Sequence, residues 1–237
     1  RVVVSVFVNP TQFGPNEDLE SYPRDLEHDA ALCKSTGAAL IFHPTPEEMY
    51  PKGFCSFVDM DVLTKELCGL SRPVHFRGVC TVVSKLLHIV QPDKAYFGEK
   101  DAQQLAVIRR MVLDLNMNVE IVGCPIVRES DGLAKSSRNT YLSPAERKAA
   151  LVLSKSIFAG KQLAEAGETD AAKLVQAMTK IIEAEPLAKI DYVKVVDLMT
   201  MQQIPKLDRP FLAAIAVYIG KTRLIDNFMM QAGGTAE

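Results

Sequence analysis

Residues 97–104 read Phe97-Gly98-Glu99-Lys100-Asp101-Ala102-Gln103-Gln104, and the organisation of the chain can be worked out from this segment. The apolar run before it predicts a buried strand, and the apolar spacing after it predicts a helix with one apolar face. Gly98 then lies at a strand-to-helix turn, where open parallel sheets bind ligands. Asp101 is expected to cap the helix, with Gln104 as its capping-box partner. Lys100 places a cation beside a helix N-terminus, which suits a site where an anion such as a phosphate joins the two. For this segment alone, an exposed turn lysine beside a satisfied helix cap is the simpler interpretation.

The composition excludes several classes of protein. The chain has 237 residues, of which 48% are hydrophobic, so it is long enough for one large domain or two modest ones. A net charge of −2 gives no indication of a nucleic-acid partner or an anionic membrane. No apolar run reaches the roughly 18 residues that span a bilayer. The five cysteines are odd in number and form no Cys-x-x-Cys pair, which argues against a disulfide framework or a zinc site and favours a reducing cytoplasm.

The order of the predicted elements indicates an α/β protein. A nearly continuous β-branched run at residues 2–8 predicts a parallel strand that is buried on both faces. A helix is expected at 19–33, ended by Gly37, and a second strand is expected at 38–42. This alternation predicts a parallel sheet with helices on both faces. The other elements expected in this part are a short strand at 56–62, a short helix at 63–70, a loop at 71–78 and a helix that ends before Pro92.

The pattern changes near Cys124-Pro125. Strands and helices no longer alternate one for one after this point, so the sequence predicts a parallel-sheet domain over residues 1–124 and a smaller α+β domain over residues 125–237. The residues Glu129-Ser130-Asp131-Gly132 signal a hairpin. The other elements expected here are a strand at 119–127, amphipathic helices at about 144–166 and 169–184, and strands at 192–196, 211–218 and 223–225.

A second group of residues with phosphate-binding chemistry is Lys135-Ser136-Ser137-Arg138. Two hydroxyls and two cations within four residues can clamp a polyphosphate through charge-assisted hydrogen bonds. A solvated hairpin tip has the same composition, and for this segment alone that interpretation is the simpler one. Combined with Lys100 at a strand-to-helix turn, the two interpretations become evenly balanced.

Two glutamines are candidates for binding a small polar acid. Gln12 lies just past the carboxyl end of the first predicted strand, and Gln104 begins the helix of another strand–helix unit. Neutral amides at these positions can bind a hydroxyl or carboxylate without adding charge. Ordinary loop and capping roles remain an alternative. Asp29 lies one turn after Asp25 on the first predicted helix and could approach a magnesium ion, although a solvated helix face explains the pair more simply.

Six segments, taken in order along the chain, carry a resemblance to a known family. They are Asn9-Pro10-Thr11-Gln12-Phe13, Tyr22-Pro23-Arg24, Arg72-Pro73-Val74-His75-Phe76-Arg77-Gly78, Phe97-Gly98-Glu99-Lys100-Asp101 with Gln103-Gln104, Ser136-Ser137-Arg138-Asn139, and Leu224-Ile225-Asp226-Asn227. From Val2 to about Met230 the chain resembles the pantothenate synthetase (pantoate–β-alanine ligase) family. The resemblance implies an ATP-dependent ligase that joins pantoate to β-alanine with magnesium, through a pantoyl adenylate, giving pantothenate, AMP and pyrophosphate. It also implies a Rossmann-like nucleotidyltransferase domain, a small C-terminal lid domain and a homodimer.

The same resemblance implies roles for individual residues. Gln12 and Gln104 would hold pantoate, with Asn9 and Tyr22 in the same substrate site. Four residues would also stabilise the charge on the departing pyrophosphate: Lys100, Ser136, Ser137 and Arg138. The residues implied at the ATP site are Gly98, Glu99, Lys100, Asp101, Val127, Lys135, Ser136, Ser137 and Arg138.

One departure from the family pattern concerns the start of the sequence. The family's Pro-Thr-Met-Gly segment and its His-x-Gly-His motif precede the first strand, and neither is found in these 237 residues. We therefore expect the natural chain to extend upstream of Arg1 and to carry the motif histidines there. Two alternatives to the ligase stay open from the sequence. One is a related nucleotidyltransferase that acts on another small acid, and the other is a truncated, non-catalytic binding module.

Overall fold

The computed structural model describes residues 1–15 and 17–231, and its first half is built on two parallel strand pairs. Strand β1 (Val3–Ser5) pairs with β2 (Leu40–Phe42), and β3 (Lys94–Gly98) pairs with β4 (Glu120–Cys124). Since β3 ends at Gly98, the turn that follows lies at the carboxyl end of a parallel strand, as the sequence predicts. The parallel arrangement and the α/β class are confirmed.

Five helices accompany these strands, and two of them build most of the core of the first half. Val79 and Cys80 on one helix and Val107, Ile108 and Met111 on another are almost completely buried. Burial of such apolar side chains supplies the main driving force for this packing. The helices are α1 (Leu26–Ser35), α2 (Pro46–Met49), α3 (Cys68–Ser71), α4 (His75–Val90) and α5 (Ala102–Asp114).

The second half contains an antiparallel sheet that is buried on both faces. Its strands, in spatial order, are β5 (Ala188–Asp197), β6 (Phe211–Ile219) and β7 (Thr222–Met230). Because successive strand residues point to opposite faces, Phe211 packs in one core with α7 (Leu151–Glu165) and α8 (Ala171–Glu183), whereas Leu212 packs in the core of the first half. The short helix α6 (Pro144–Ala149) precedes α7. The sheet thus joins the two halves through apolar contacts.

The first strand differs from the expectation. It covers only Val3–Ser5, and among the described residues β2 is its one strand partner. Val2 and Val3 are 59% and 38% exposed, so the prediction of a strand buried on both faces is wrong for this structure. The β-branched run does form a parallel strand, but burial depends on the neighbours that the strand finds.

The first helix starts later than expected. It begins at Leu26, and residues 17–25 form a loop. Two local features explain the difference. Pro23 disfavours a helical conformation at Tyr22, and the Asp25 carboxylate accepts a hydrogen bond from the backbone N–H of His28 at 2.9 Å, which fixes the N-cap there.

Residues 56–70 also differ from the expectation, because they contain no strand and only the start of α3. The side-chain amide of Gln103 replaces regular backbone pairing in this segment. Its Nε2 donates to the carbonyls of Leu63 at 2.9 Å and Glu66 at 2.7 Å, and its Oε1 accepts from the N–H of Cys68 at 2.9 Å. Leu67 adopts a φ of 52°, which stops a helix from extending back through it.

The remaining elements of the second half follow the sequence closely. The predicted hairpin is confirmed by a bridge between Arg128 and Ala134, with Gly132 at a φ of 94° that favours glycine. The helix expected at 144–166 is divided at Ala150 into α6 and α7, and the final strand runs further than expected, to Met230. Helix α4 begins at His75, inside the segment expected to be a loop.

Candidate active site

A cleft of about 930 Å³ lies where the two halves of the chain meet. The turn after β3 contributes Lys100, Asp101 and Gln104 to its wall, and the segment after the hairpin contributes Ser136 and Arg138. Members of both groups that the sequence singled out for phosphate binding therefore line one cavity, although they lie far apart along the chain.

The turn that carries Lys100 is a 3₁₀ segment, Glu99–Asp101, that leads directly into α5. The Lys100 side chain is 19% exposed, and its Nζ lies 3.5 Å from both carboxylate oxygens of Asp101. Asp101 occupies the N-cap position, but its side chain accepts no capping hydrogen bond, so the predicted capping box with Gln104 is wrong. The carboxylate turns towards Lys100 instead. The amide of Gln104 has no hydrogen-bond partner among the described residues.

The segment that carries Arg138 is fixed by hydrogen bonds to the loop at residues 17–25. Ser136 Oγ accepts from the N–H of Arg138 at 3.3 Å and caps the 3₁₀ segment Ser137–Tyr141. The Arg138 guanidinium donates to both oxygens of Asp18, from Nε at 2.9 Å and from a terminal nitrogen at 2.8 Å, and the Tyr141 hydroxyl donates to the same carboxylate at 3.2 Å. Burial acts to raise the pKa of Asp18, but the hydrogen bond and charge of Arg138 outweigh it and hold this pKa below its usual value.

Asn9 and Gln12 form one hydrogen-bonded unit behind the cleft wall. Asn9 is buried, and its Oδ1 accepts from the Tyr50 hydroxyl at 2.7 Å and from Thr11 Oγ1 at 3.0 Å. Its Nδ2 donates to the carbonyl of Gly78 at 3.1 Å and to Gln12 Oε1 at 3.2 Å. Asn9, for which substrate contact was predicted, is thus fully engaged within the fold and orients Gln12. The Oε1 of Gln12 already accepts the hydrogen bond from Asn9, whereas its Nε2 donates to no described residue and is available to a ligand.

Arg72, His75 and Glu17 also line the cleft, and no role in it was predicted for them from the residues. His75 Nδ1 donates to the backbone carbonyl of Gln12 at 3.0 Å, and its Nε2 accepts from Arg72 at 3.3 Å. Burial, with the Arg72 charge beside it, lowers the pKa of His75 to about 4, so the ring is neutral at physiological pH. Arg72 pairs with Glu17 through Nε at 2.9 Å. In the sequence, only the resemblance of residues 72–78 to the family segment marks this part of the chain.

A close approach of two backbones explains why glycine stands at position 78. A Cβ on Gly78 would lie 2.4 Å from the carbonyl oxygen of Thr11 and 2.6 Å from the Cα of Gln12. No larger residue fits without moving one of these backbones. Helix α4 therefore holds the Gln12 turn both through Gly78 and through His75.

Several predicted residues do not line the cleft. Tyr22 lies beside it, with its ring centroid 5.5 Å from the Arg138 guanidinium. Val127 and Lys135 are exposed, and they pair across the hairpin through a hydrogen bond of 2.9 Å from the Lys135 N–H to the Val127 carbonyl. Asp29 lies on α1, and residues 1–15 and 17–231 contain no group of three or more His, Cys, Asp or Glu side chains that could hold a metal ion. The other predicted positions outside the cleft wall are Asn9, Gln12, Gly98, Glu99 and Ser137.

These features define a class of protein. The chain is an α/β protein with parallel strand pairs. Lys100, in the turn after β3, and Arg138 place two cations at one cleft, an arrangement that suits an anionic ligand such as a nucleotide. In the part of the chain that the structure describes, no helix has the length and apolar character needed to cross a bilayer.

Comparison with known proteins identifies the family. A family model described as pantoate-beta-alanine ligase matches residues 1–229. The chain is 68% identical over 228 residues to pantothenate synthetase of Ruminiclostridium cellulolyticum, in an alignment that covers 96% of this chain and 81% of that protein. It is 60% identical to pantothenate synthetase of Clostridioides difficile, with 98% and 82% of the two chains covered. The chain therefore belongs to the pantoate–β-alanine ligase family, as its sequence segments indicate.

Solved structures agree with this assignment. The crystal structure of pantothenate synthetase from Thermus thermophilus superimposes with a TM-score of 0.93 at 48% identity, covering 96% of this chain and 82% of that one. Pantoate-beta-alanine ligase from Francisella tularensis, complexed with beta-gamma ATP and beta-alanine, has a TM-score of 0.76 at 34% identity, covering 99% and 81%.

Proposed function

We propose that this chain joins pantoate to β-alanine at the expense of ATP and gives pantothenate, AMP and pyrophosphate. Family membership supports the reaction, and one observation supports the location of the site. Lys100 and Arg138 come from separate segments and line one cleft, together with Gln104, whose amide is not engaged by any described residue. The alternatives of a different small acid or a non-catalytic module are not favoured by relatives that are 68% and 60% identical and carry the synthetase name.

In the first step, a carboxylate oxygen of pantoate attacks the α-phosphorus of ATP, and the bond from that phosphorus to the bridging oxygen of pyrophosphate breaks. Negative charge then accumulates on the pyrophosphate. Lys100, Ser136, Ser137 and Arg138 are proposed to stabilise this charge with donors held by the 3₁₀ turns described above. The Nε2 of Gln12 and the amide of Gln104 are proposed to hold pantoate, since neutral donors bind the acid without abolishing its nucleophilicity.

In the second step, the free amine of β-alanine attacks the acyl carbon of pantoyl adenylate, AMP leaves and the new amide nitrogen loses a proton. No covalent bond to the protein is required. The role of the protein is to hold the two reactants and to exclude water, which would hydrolyse the adenylate. The loop at residues 17–25, joined to Arg138 through Asp18, is well placed to cover this side of the cleft.

Magnesium is proposed to be a cofactor that neutralises phosphate charge when it is bound with the nucleotide. Magnesium commonly keeps several waters and binds through substrate phosphates with one or two carboxylates. The described residues offer no cluster that would hold the ion alone, and Asp29 stands apart from the cleft wall. The ion would therefore be held mainly by the phosphates of ATP and by water.

The proposed domain organisation has a Rossmann-like ATP- and pantoate-binding domain at residues 1–124 and a small lid domain at residues 125–237. Strand β4 ends at Cys124, which supports this boundary. A homodimer is also proposed, because the stretch between α2 and α4 exposes four apolar side chains, those of Phe57, Val62, Leu70 and Val74. A cytoplasmic location agrees with the five free cysteines.

Exchange of labelled pyrophosphate into ATP tests this proposal. We expect exchange that requires pantoate and does not require β-alanine, because the adenylate forms reversibly before the amine reacts. Release of AMP should then require β-alanine. Exchange without pantoate, or with unrelated small acids at equal rate, would contradict the proposed substrate.

A further inference from the structure

Strand β7 carries two adjacent polar residues that are almost completely buried, Asp226 at 1% and Asn227 at 4% exposure. Buried polar side chains on a strand require partners, and neighbouring strand residues find them on opposite faces of the sheet. The partners of these two residues lie in the turn that carries Lys100 and in the hairpin that precedes Ser136 and Arg138.

Asn227 holds the turn that carries Lys100. Its Nδ2 donates to the backbone carbonyl of Glu99 at 3.0 Å and to that of Lys100 at 2.8 Å. Carbonyl oxygens only accept hydrogen bonds, so the orientation of the amide is determined by its partners. The position of the Lys100 backbone is therefore fixed from the antiparallel sheet, which belongs to the other half of the chain.

Asp226 holds the hairpin that leads to Ser136 and Arg138. Both of its carboxylate oxygens accept from the Arg128 guanidinium, at 2.7 and 2.9 Å. The same guanidinium donates to the carbonyl of Gly132 at the hairpin turn, at 3.0 Å. A bidentate pair of this kind fixes orientation as well as distance. Two consecutive residues of one strand thus anchor both sides of the cleft.

The amide at position 227 is poorly explained by the stability of the fold alone. Its Oδ1 is buried and accepts no hydrogen bond from any described residue, which is unfavourable. A β-branched apolar side chain would suit the interior of a strand better. The contacts that only this amide supplies are its two donor bonds to the Lys100 turn.

We propose that Asn227, together with Asp226, is a positioning residue of the nucleotide site and sets the distance between the Lys100 turn and the Arg138 segment. Asn227 acts through Lys100, and Asp226 acts through Arg128 and the hairpin. This inference rests on the proposed function, in which Lys100 and Arg138 act on the same triphosphate. Although Asn227 also lines the cleft, the proposal predicts that loss of its amide weakens use of ATP by displacing Lys100.

The test compares Asn227→Val with a matched control in pantoate-dependent pyrophosphate exchange. Valine removes both donors and keeps a strand-forming side chain. We expect kcat/KM for ATP to fall about tenfold or more, whereas the Kd for pantoate from calorimetry stays within about twofold. Ser156→Ala is the control, because it removes a buried hydrogen bond of 3.1 Å to the Met178 carbonyl outside the cleft. It should lower the melting temperature and leave both constants within about twofold.

A double-mutant cycle separates positioning from a general structural role. If Asn227 acts through Lys100, adding Asn227→Val to Lys100→Ala should change kcat/KM for ATP by less than about twofold. An additive loss, or an Asn227→Val protein with normal constants, would overturn the inference. If Lys100→Ala alone is nearly normal, the proposed role of Lys100 fails and the inference fails with it. If the valine variant does not fold, the same comparison is made with Asn227→Ser, whose side chain is too short to reach both carbonyls. The results that would support or overturn the inference are the same.

Discussion

Acidification is expected to destabilise the protein through one buried residue, His75. Burial and the neighbouring Arg72 charge lower the pKa of His75 to about 4 in the folded chain, against 6.5 as its ordinary value. Between these two values the unfolded chain binds a proton at His75 that the folded chain does not bind, so stability falls as the pH falls through this window. Above pH 6.5 His75 is neutral in both the folded and the unfolded chain, so it no longer makes the free energy of unfolding depend on pH. The gap between the two pKa values corresponds to about 3 kcal/mol of unfolding free energy, which is lost by about pH 4.

Urea unfolding between about pH 4.5 and 7 measures this effect. In His75→Asn the side-chain amide can still donate to the Gln12 carbonyl but does not titrate, so its stability should depend much less on pH than that of the wild type. The matched control is His88→Asn, because His88 is an exposed histidine on the same helix. The free energy of unfolding of this control should depend on pH in the same way as that of the wild type.

Other titrating groups do not obscure this comparison. Glu17 and Asp101 face His75, and Glu17 has a pKa below its usual value because, although burial acts to raise it, the hydrogen bond and charge of Arg72 lower it. The stabilising effect of Glu17 is lost as the pH falls through its folded pKa, and its main partner, Arg72, is present in both the wild type and the variant. If the wild type and His75→Asn lose stability in parallel over this pH range, His75 is not held neutral by the fold and the reasoning is wrong.

Further predictions concern the cleft itself. Lys100→Ala should lower kcat for adenylation by about 10²-fold or more, measured as pantoate-dependent pyrophosphate release, because it removes a charge-stabilising donor. Gln12→Ala and Gln104→Ala should each weaken pantoate binding in calorimetry and leave ATP affinity nearly intact; equal loss for both ligands would indicate a structural role. Asp18→Asn should raise ATP affinity severalfold, because phosphates and Asp18 compete for Arg138, and unchanged affinity would contradict this competition. Hydrogen exchange of residues 131–139 should slow when ATP and magnesium saturate the protein, and identical exchange would argue against a lid.

The turn that carries Lys100 could be predicted from the sequence because its signals are local. The change from a short apolar run to helical spacing locates the end of β3 and the start of α5 within one or two residues. The capping box failed even so, because a rule based on spacing cannot determine which partner a carboxylate chooses. In the folded chain Asp101 lies beside Lys100, and that contact competes with the cap.

The surroundings of Gln12 could not be predicted, because its partners are distant in sequence. The ring that holds the Gln12 carbonyl belongs to His75, and the helix that approaches it contributes Gly78, both far along the chain from Gln12. Hydrophobic periodicity predicts which elements form and which faces they bury, but it carries no information about which polar side chains meet. For the same reason the contact between the His75 ring and the Gln12 carbonyl could not be predicted.

The burial of the antiparallel sheet limits how the cleft can close. Leu212 and Ala214 of β6 pack against the same core as Ile108 and Met111 of α5, so a rigid-body rotation of the whole second half would expose this interface. Each large side chain of this kind contributes about 1.5–3 kcal/mol when it is fully buried, and a large apolar interface opposes domain motion. Among the described residues, two segments lie outside this core: residues 135–139, which follow the hairpin that Asp226 anchors, and the loop at residues 17–25. Because the Arg138–Asp18 pair joins these two segments, closure over ATP is expected to be a local movement of both, while β7 holds the Lys100 turn in place.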